Sequence, residues 1–445
     1  MGGLISILLA VTLAADAFAP PPPAPVPPRT HLEAGEAYEV VAILDVAAGR
    51  MDAVETIHLT NRAALPITYV NLTVQPRAFG FYQATGEITI DGQAAATAWT
   101  TGTNLRVELP GPLAPRATAT LRVPFRLLVG SAGGAFTARL SRDRGVLSFG
   151  QWLPMVSPEH DIYSVGDPRI TRSADRIRLE LTTTAPQPRN AVACPGMVEA
   201  PAASGSRWVC EIENARDFGF VVNPRFRLTD RTVGETRMRV YTESVDGSRT
   251  ADLAQYALRR LNDLYGPYPW PDLVLAEVGA DGGFSMEYPA AIHLTRGKVA
   301  DTYVLYHEVA HQWFYAQLGN DQMREPWLDE AFADFTARYL MGTGSRDQCS
   351  TRPVDSSVFD WPAGPTTGGD WLSCDGYFHA VFYKGTEFLN AVRGAMGNEE
   401  FFAALREHIA DNRFGFTTAR RLLSHLQART DADLQPIYAR YLAAY

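Results

Sequence analysis

Two histidines four residues apart, His307 and His311, flank Glu308 in the run Tyr306-His307-Glu308-Val309-Ala310-His311-Gln312-Trp313-Phe314. On a helix, residues at i and i+4 share one face and lie about 6 Å apart along the axis, so both imidazoles can close on one small cation. Glu308 stands between them, placed for a water at that cation. Further on, Glu330 in Trp327-Leu328-Asp329-Glu330-Ala331-Phe332-Ala333-Asp334 offers a carboxylate from a second helix. Two imidazoles and one carboxylate leave one position of a tetrahedral zinc open, as a catalytic rather than a structural site requires. One Zn2+ held by His307, His311 and Glu330 would serve hydrolysis, with Glu308 as the carrier of the water's proton. Asp334, one turn after Glu330, is read either as an acceptor that fixes the tautomer of a ligand histidine or as a helix-surface acid.

The elements that must position these residues are legible in part. Val309, Ala310, Trp313, Phe314 and Leu318 make a helical apolar stripe with a stop at Gly319, which predicts one helix through the motif. A second helix reads from about Pro326 to Tyr339, with Gly342 beyond it. Upstream, residues 33–235 read as β throughout: Val40, Ala42, Leu44 and Val46 alternate with polar positions, as do Leu121, Val123, Phe125 and Leu127, and Ile177, Leu179 and Leu181. Asp91-Gly92 and Pro110-Gly111-Pro112 are turn signals, and the spacing predicts an antiparallel sandwich or saddle. The period changes near residue 250, where Leu253, Ala257, Leu261 and Leu264 mark a helix. From there to the end the chain reads as mostly helical, with helices expected over Phe388 to Met396, Phe401 to Ile409, Thr418 to Leu426 and about Asp433 to Ala443. The fold class is therefore α+β and multidomain, an all-β part followed by a mostly helical part over 236–445.

Composition and the amino-terminal stretch bound the setting. The chain has 445 residues, of which 46% are hydrophobic and 20% charged, which is globular material with ample core. A net charge of −9 without a basic cluster gives no support to nucleic-acid binding. Residues 1–19 read as a signal peptide, because Leu4 to Ala15 is apolar but too short to span a bilayer and small residues follow. The prolines of 20–32 read as a stiff extended linker. Export to the periplasm or the medium, with no membrane span after cleavage, is the expectation. The four cysteines agree with it: Cys194 with Cys210, and Cys349 with Cys374, are near pairs without metal or redox spacing, and each pair is expected to form a disulfide.

Three motifs in order carry a family resemblance. Glu330 follows His311 by eighteen intervening residues, and the zinc motif resembles that of the aminopeptidase N and leukotriene hydrolase family of gluzincin metallopeptidases. Gly282-Gly283-Phe284-Ser285-Met286-Glu287-Tyr288-Pro289 resembles that family's exopeptidase motif. Gly376-Tyr377-Phe378-His379-Ala380-Val381-Phe382-Tyr383-Lys384-Gly385 resembles its Tyr-x-Lys-Gly segment. Gln151-Trp152-Leu153-Pro154 and Arg216-Asp217-Phe218 resemble parts of its amino-terminal domain.

The resemblance implies a β saddle packed on a thermolysin-like zinc peptidase domain, and a zinc aminopeptidase acting on short peptides. It implies that Glu287, with Met286 and Gly283, binds the substrate's amino end. Only 115 residues follow Glu330 in the 445-residue chain, so a short bacterial-type member without the large carboxy-terminal helical domain, and a more open cleft, is expected. Where the family carries its oxyanion-stabilising tyrosine this chain has Phe382, which turns attention to Tyr377 and Tyr383 as replacements. A thermolysin-type endopeptidase and a non-catalytic peptide-binding relative are the alternatives.

Overall fold

A computed structural model of the chain describes residues 36–132, 137–157, 171–280, 284–322, 325–344 and 378–442. The signal peptide, the proline linker, Gly283, Tyr377 and the Cys349–Cys374 pair lie outside them.

Alternation builds the first half. In Ala37–Asp45 the side chains of Tyr38, Val40, Ala42 and Leu44 are buried while their neighbours face outward, as a strand with one covered face requires. Arg50–Thr60 pairs with it antiparallel, and Thr118–Leu128 pairs beyond that, with Leu121, Val123, Phe125 and Leu127 inward. On the other side Ala174–Pro188 runs parallel to Ala37–Asp45, with Val40 opposite Leu179 and Ala42 opposite Leu181, so the inward residues of both strands share a face. The large sheet is therefore mixed rather than purely antiparallel. Two four-stranded sheets pack nearby. In one of them Phe149 and Phe220, partners on adjacent strands, stack at 4.4 Å, and Trp152 packs against both and against Phe125 of the large sheet while its Nε1 donates to the Phe218 carbonyl at 2.8 Å.

The second half is less helical than the sequence pattern predicts. A five-stranded sheet runs in the order Arg227–Val233, Thr236–Thr242, Asp272–Val278, Ala291–Thr295, Met286–Tyr288. Its first two strands form a hairpin across the expected boundary at residue 235, so the sheet draws on both sides of that boundary. Every residue of Asp272–Val278 is buried. A strand covered on both faces loses its alternation, and periodicity alone cannot tell it from a buried helix.

Helix α1 (Ser248–Tyr265) makes the crossover between parallel strands Thr236–Thr242 and Asp272–Val278. Helix α2 (Thr302–Ala310) carries His307 and Glu308, with His311 just past its end, and α3 (Trp327–Met341) packs against it. A π-helical turn over Phe378–Lys384 leads into α4 (Gly385–Met396), followed by α5 (Asn398–Asp411), α6 (Ala419–Ala428) and α7 (Gln435–Tyr441). The single helix expected to run to Gly319 ends instead at Ala310. Gln312 N–H and Trp313 N–H donate three residues back, to Val309 and Ala310, and Tyr315 has φ of 120°. Trp313 Nε1 donates to the Gly266 carbonyl at 2.9 Å, a buried tether that fixes the chain's new direction.

The β-rich half also reaches the strand Met286–Tyr288. A Cβ on Gly150 would fall 1.8 Å from the Tyr288 hydroxyl and one on Gly219 would fall 2.3 Å from its ring, so only glycines allow this approach.

One expected disulfide is present, Cys194–Cys210, which closes a loop of 16 residues onto strand Ser204–Ala215. Cys194→Ala should lower the unfolding free energy by about 3 kcal/mol, the loop-closure scale for such a ring. Urea unfolding of the oxidised protein reads this, and coincident midpoints for variant and parent would contradict it.

Candidate metal centre

Asp301 begins α2 by accepting a hydrogen bond from Val304 N–H at 3.2 Å, a carboxylate cap that also suits the helix dipole. His307 lies in the last turn. His311 directly follows the helix but keeps helical dihedrals, and its N–H donates to the His307 carbonyl at 3.3 Å. The i, i+4 geometry thus survives the end of the helix. Glu330 sits in the first turn of α3. Its N–H donates to the side chain of buried Asp329 at 2.9 Å, and Asp329 in turn accepts from Asn320 and Gln322.

These elements bring three donor atoms together. The two Nε2 atoms of His307 and His311 are 3.1 Å apart, and Glu330 Oε2 is 3.2 Å from the first and 3.4 Å from the second. A tetrahedral zinc with bonds of about 2.0–2.1 Å separates its ligands by about 3.3–3.4 Å. The donor set and its spacing fit that ion, and among the described residues it is the one such group of three.

Electrostatics point the same way. Burial by itself would lower His311, but Glu287, Glu330 and Glu308 outweigh it and raise the imidazole to about 10. Burial would likewise raise Glu330, yet His311 and His307 hold it well below the usual carboxylate range. The centre therefore strongly favours positive charge. His311 Nδ1 lies 3.0 Å from the Phe314 carbonyl. With that nitrogen donating, Nε2 keeps its lone pair for the centre.

Several sequence expectations are redistributed. Asp334 is completely buried, so it is not a helix-surface acid, and it does not bond a ligand histidine. Its carboxylate accepts from Arg338 Nε at 2.7 Å, from Thr386 Oγ1 at 2.6 Å and from the Tyr303 hydroxyl. Burial, then the Asp334 charge, raises the Tyr303 hydroxyl far above its ordinary value, so it stays a donor. Tyr303 packs its ring against His307 at 5.8 Å, and Phe382 stacks on His307 at 5.6 Å with the planes 7° apart. The imidazole is thus held by aromatic rings as well as by the helix.

Tyr303 is four residues before His307 on the same helix, and that spacing was the available signal for it. Tyr383 rests against Arg338, 5.4 Å from the ring centroid, and edge-on to His379. Glu287 is buried on the edge strand Met286–Tyr288. Met286 packs in a cluster with Val278, Tyr288 and Ala291.

No family model matches the chain. Solved structures do resemble it along nearly its whole length. An M1 zinc metallopeptidase from Deinococcus radiodurans is similar at 16% identity with a TM-score of 0.67, covering 92% of this chain and 94% of that one. A mutant of a two-domain M1 zinc metallopeptidase bound to L-arginine aligns at 14% identity, TM-score 0.68, with 92% and 94% covered. A mutant of the Deinococcus radiodurans enzyme bound to a Tyr-Ser-Ala substrate aligns at 15% identity, TM-score 0.65, with 92% and 93% covered. The chain has the fold of the two-domain M1 zinc metallopeptidases, an α+β multidomain architecture with a β-rich amino-terminal part and a helical carboxy-terminal part.

Purified protein supplied with zinc is expected to hold one ion per chain, and His307→Ala, His311→Ala and Glu330→Ala are each expected to lose it. Atomic emission after gel filtration measures this, and a variant that keeps stoichiometric zinc would remove that residue from the centre.

Proposed function

We propose that this chain is a zinc-dependent aminopeptidase that hydrolyses the amino-terminal bond of short peptides. The observation that carries the reading is the convergence of His307, His311 and Glu330 at 3.1–3.4 Å with two further buried carboxylates, Glu308 and Glu287, acting on His311. Bound zinc would supply a water of lowered pKa, near about 7, and polarise the scissile carbonyl.

The remaining steps belong to the protein. Glu308, on the helix between the two ligands, accepts a proton from the attacking water and delivers it to the departing nitrogen. Glu287 holds the substrate's α-ammonium, since a cation in a buried site needs an opposite charge. An acetylated amino end has no such charge, so this pairing favours an aminopeptidase over an endopeptidase. The M1 fold, and the amino acid and tripeptide bound to its solved representatives, support the substrate class.

Phe382, stacked on His307, has no hydroxyl to give. Either Tyr377 or Tyr383 stabilises the oxyanion in its place, or the enzyme works without that donor and turns over more slowly. The Cys194–Cys210 disulfide supports export to the periplasm or the medium, where such bonds persist. None of the helices among the described residues is long and apolar enough to cross a membrane.

Glu308→Gln is expected to keep its zinc while kcat on aminoacyl chromogenic amides falls by about 10²–10⁴-fold, the usual scale for losing a general base. Paired metal analysis and steady-state kinetics read the two effects separately. Parental turnover in the variant would sink the assignment of Glu308.

A further inference from the structure

The residue after the second histidine, Gln312, is fully buried, and its side-chain amide is spent on one short stretch of chain. Its Oε1 accepts from Ala290 N–H at 2.9 Å and its Nε2 donates to the Tyr288 carbonyl at 3.1 Å. Tyr288 and Ala290 flank the connection between strands Met286–Tyr288 and Ala291–Thr295, in which Tyr288 pairs with Ala291 across Pro289-Ala290. Two-residue connections of this kind demand positive φ, and Ala290 adopts it, at 54° without being glycine. The turn is strained for its residue type and is held from outside. From the other direction, Gln317 Nε2 donates to the Gln312 carbonyl at 3.0 Å, so the Gln312 backbone is itself fixed.

Glu287 immediately precedes Tyr288. A single side chain therefore connects the residue next to a metal-ligating histidine with the residue next to the carboxylate assigned to the substrate's amine. We propose that Gln312 is a positioning residue that sets the spacing between the zinc centre and Glu287, and so determines how well an α-ammonium and a metal-bound group are held at the same time. This rests on the aminopeptidase reading. The strand Met286–Tyr288 is an edge strand with one paired neighbour, Ala291–Thr295. Without the amide bridge its turn can relax, and Glu287 moves with it while His307, His311 and Glu330 keep their own supports.

The test is calorimetric titration of three zinc-loaded proteins, the parent, Glu287→Gln and Gln312→Leu, with leucine hydroxamate and with N-acetyl-leucine hydroxamate, alongside zinc stoichiometry. Both substitutions should weaken the amine-bearing ligand by about tenfold or more and change the acetylated one by less than about twofold, with one zinc retained, because only the charged pairing is lost. If Glu287→Gln does not separate the two ligands, the aminopeptidase reading falls and the clamp falls with it. If Glu287→Gln separates them and Gln312→Leu does not, the clamp alone is overturned. Gln312→Glu covers the case in which the leucine variant fails to fold. It keeps an acceptor for Ala290 N–H but sets a carboxylate oxygen against the Tyr288 carbonyl, so an intermediate loss confined to the amine-bearing ligand is expected. Parental affinities, or loss of zinc in this variant, would overturn the proposal.

Discussion

Two imidazole nitrogens face each other at 3.1 Å in a buried site with a carboxylate oxygen 3.2–3.4 Å from both. Without a cation between them, that arrangement sets two lone pairs and an anion against one another; with one, all three become ligands. The surrounding charges sharpen the constraint, since Glu287, Glu308 and Glu330 together overcome the cost of burying a charged His311. Burying so many carboxylates in one place costs stability unless positive charge enters. Much of the second half of the chain supports this concentration of like charge.

The supports differ for each ligand. His307 is gripped between the rings of Tyr303 and Phe382, and the Tyr303 hydroxyl is anchored on Asp334, which Arg338 and Thr386 also bond. This network joins α2, α3 and α4 beneath the site. His311 is fixed by the Phe314 carbonyl and by the chain reversal that follows it, and Glu330 by Asp329 and the loop that holds Asp329. Such shells orient ligands as much as the ligands' own helices do. The β-rich half contributes through glycines 150 and 219, which let it close on Tyr288 beside Glu287.

The three converging residues were legible because the chemistry proposed for them depends on local spacing. His307 and His311 need only one helical face, and Glu330 needs only a second helix packed nearby. The outward and inward residues of the first half were legible for a similar reason, since Val40, Ala42 and Leu44 record a strand with one covered face. Contacts that join distant segments left no such mark. The hydrogen bonds of Gln312 cross 22 and 24 residues, and that from Thr386 to Asp334 crosses 52. The buried strand Asp272–Val278 had no alternation to read. Asp334 stands one turn after Glu330 in sequence, whereas its partners Tyr303, Arg338 and Thr386 come from three different helices.

The proposed function turns on one discrimination, between a free amine that Glu287 would hold beside the metal centre and an acetylated one that it would not. The most direct measurement compares kcat/KM of the zinc-loaded protein for leucine p-nitroanilide and for N-acetyl-leucine p-nitroanilide, with and without a chelator. Turnover of the free amine that the chelator abolishes and zinc restores is expected, with at least about a hundredfold preference over the acetylated form, the scale of a lost buried charge pairing. Equal rates on the two substrates, or a rate on the free amine indifferent to the chelator, would contradict it.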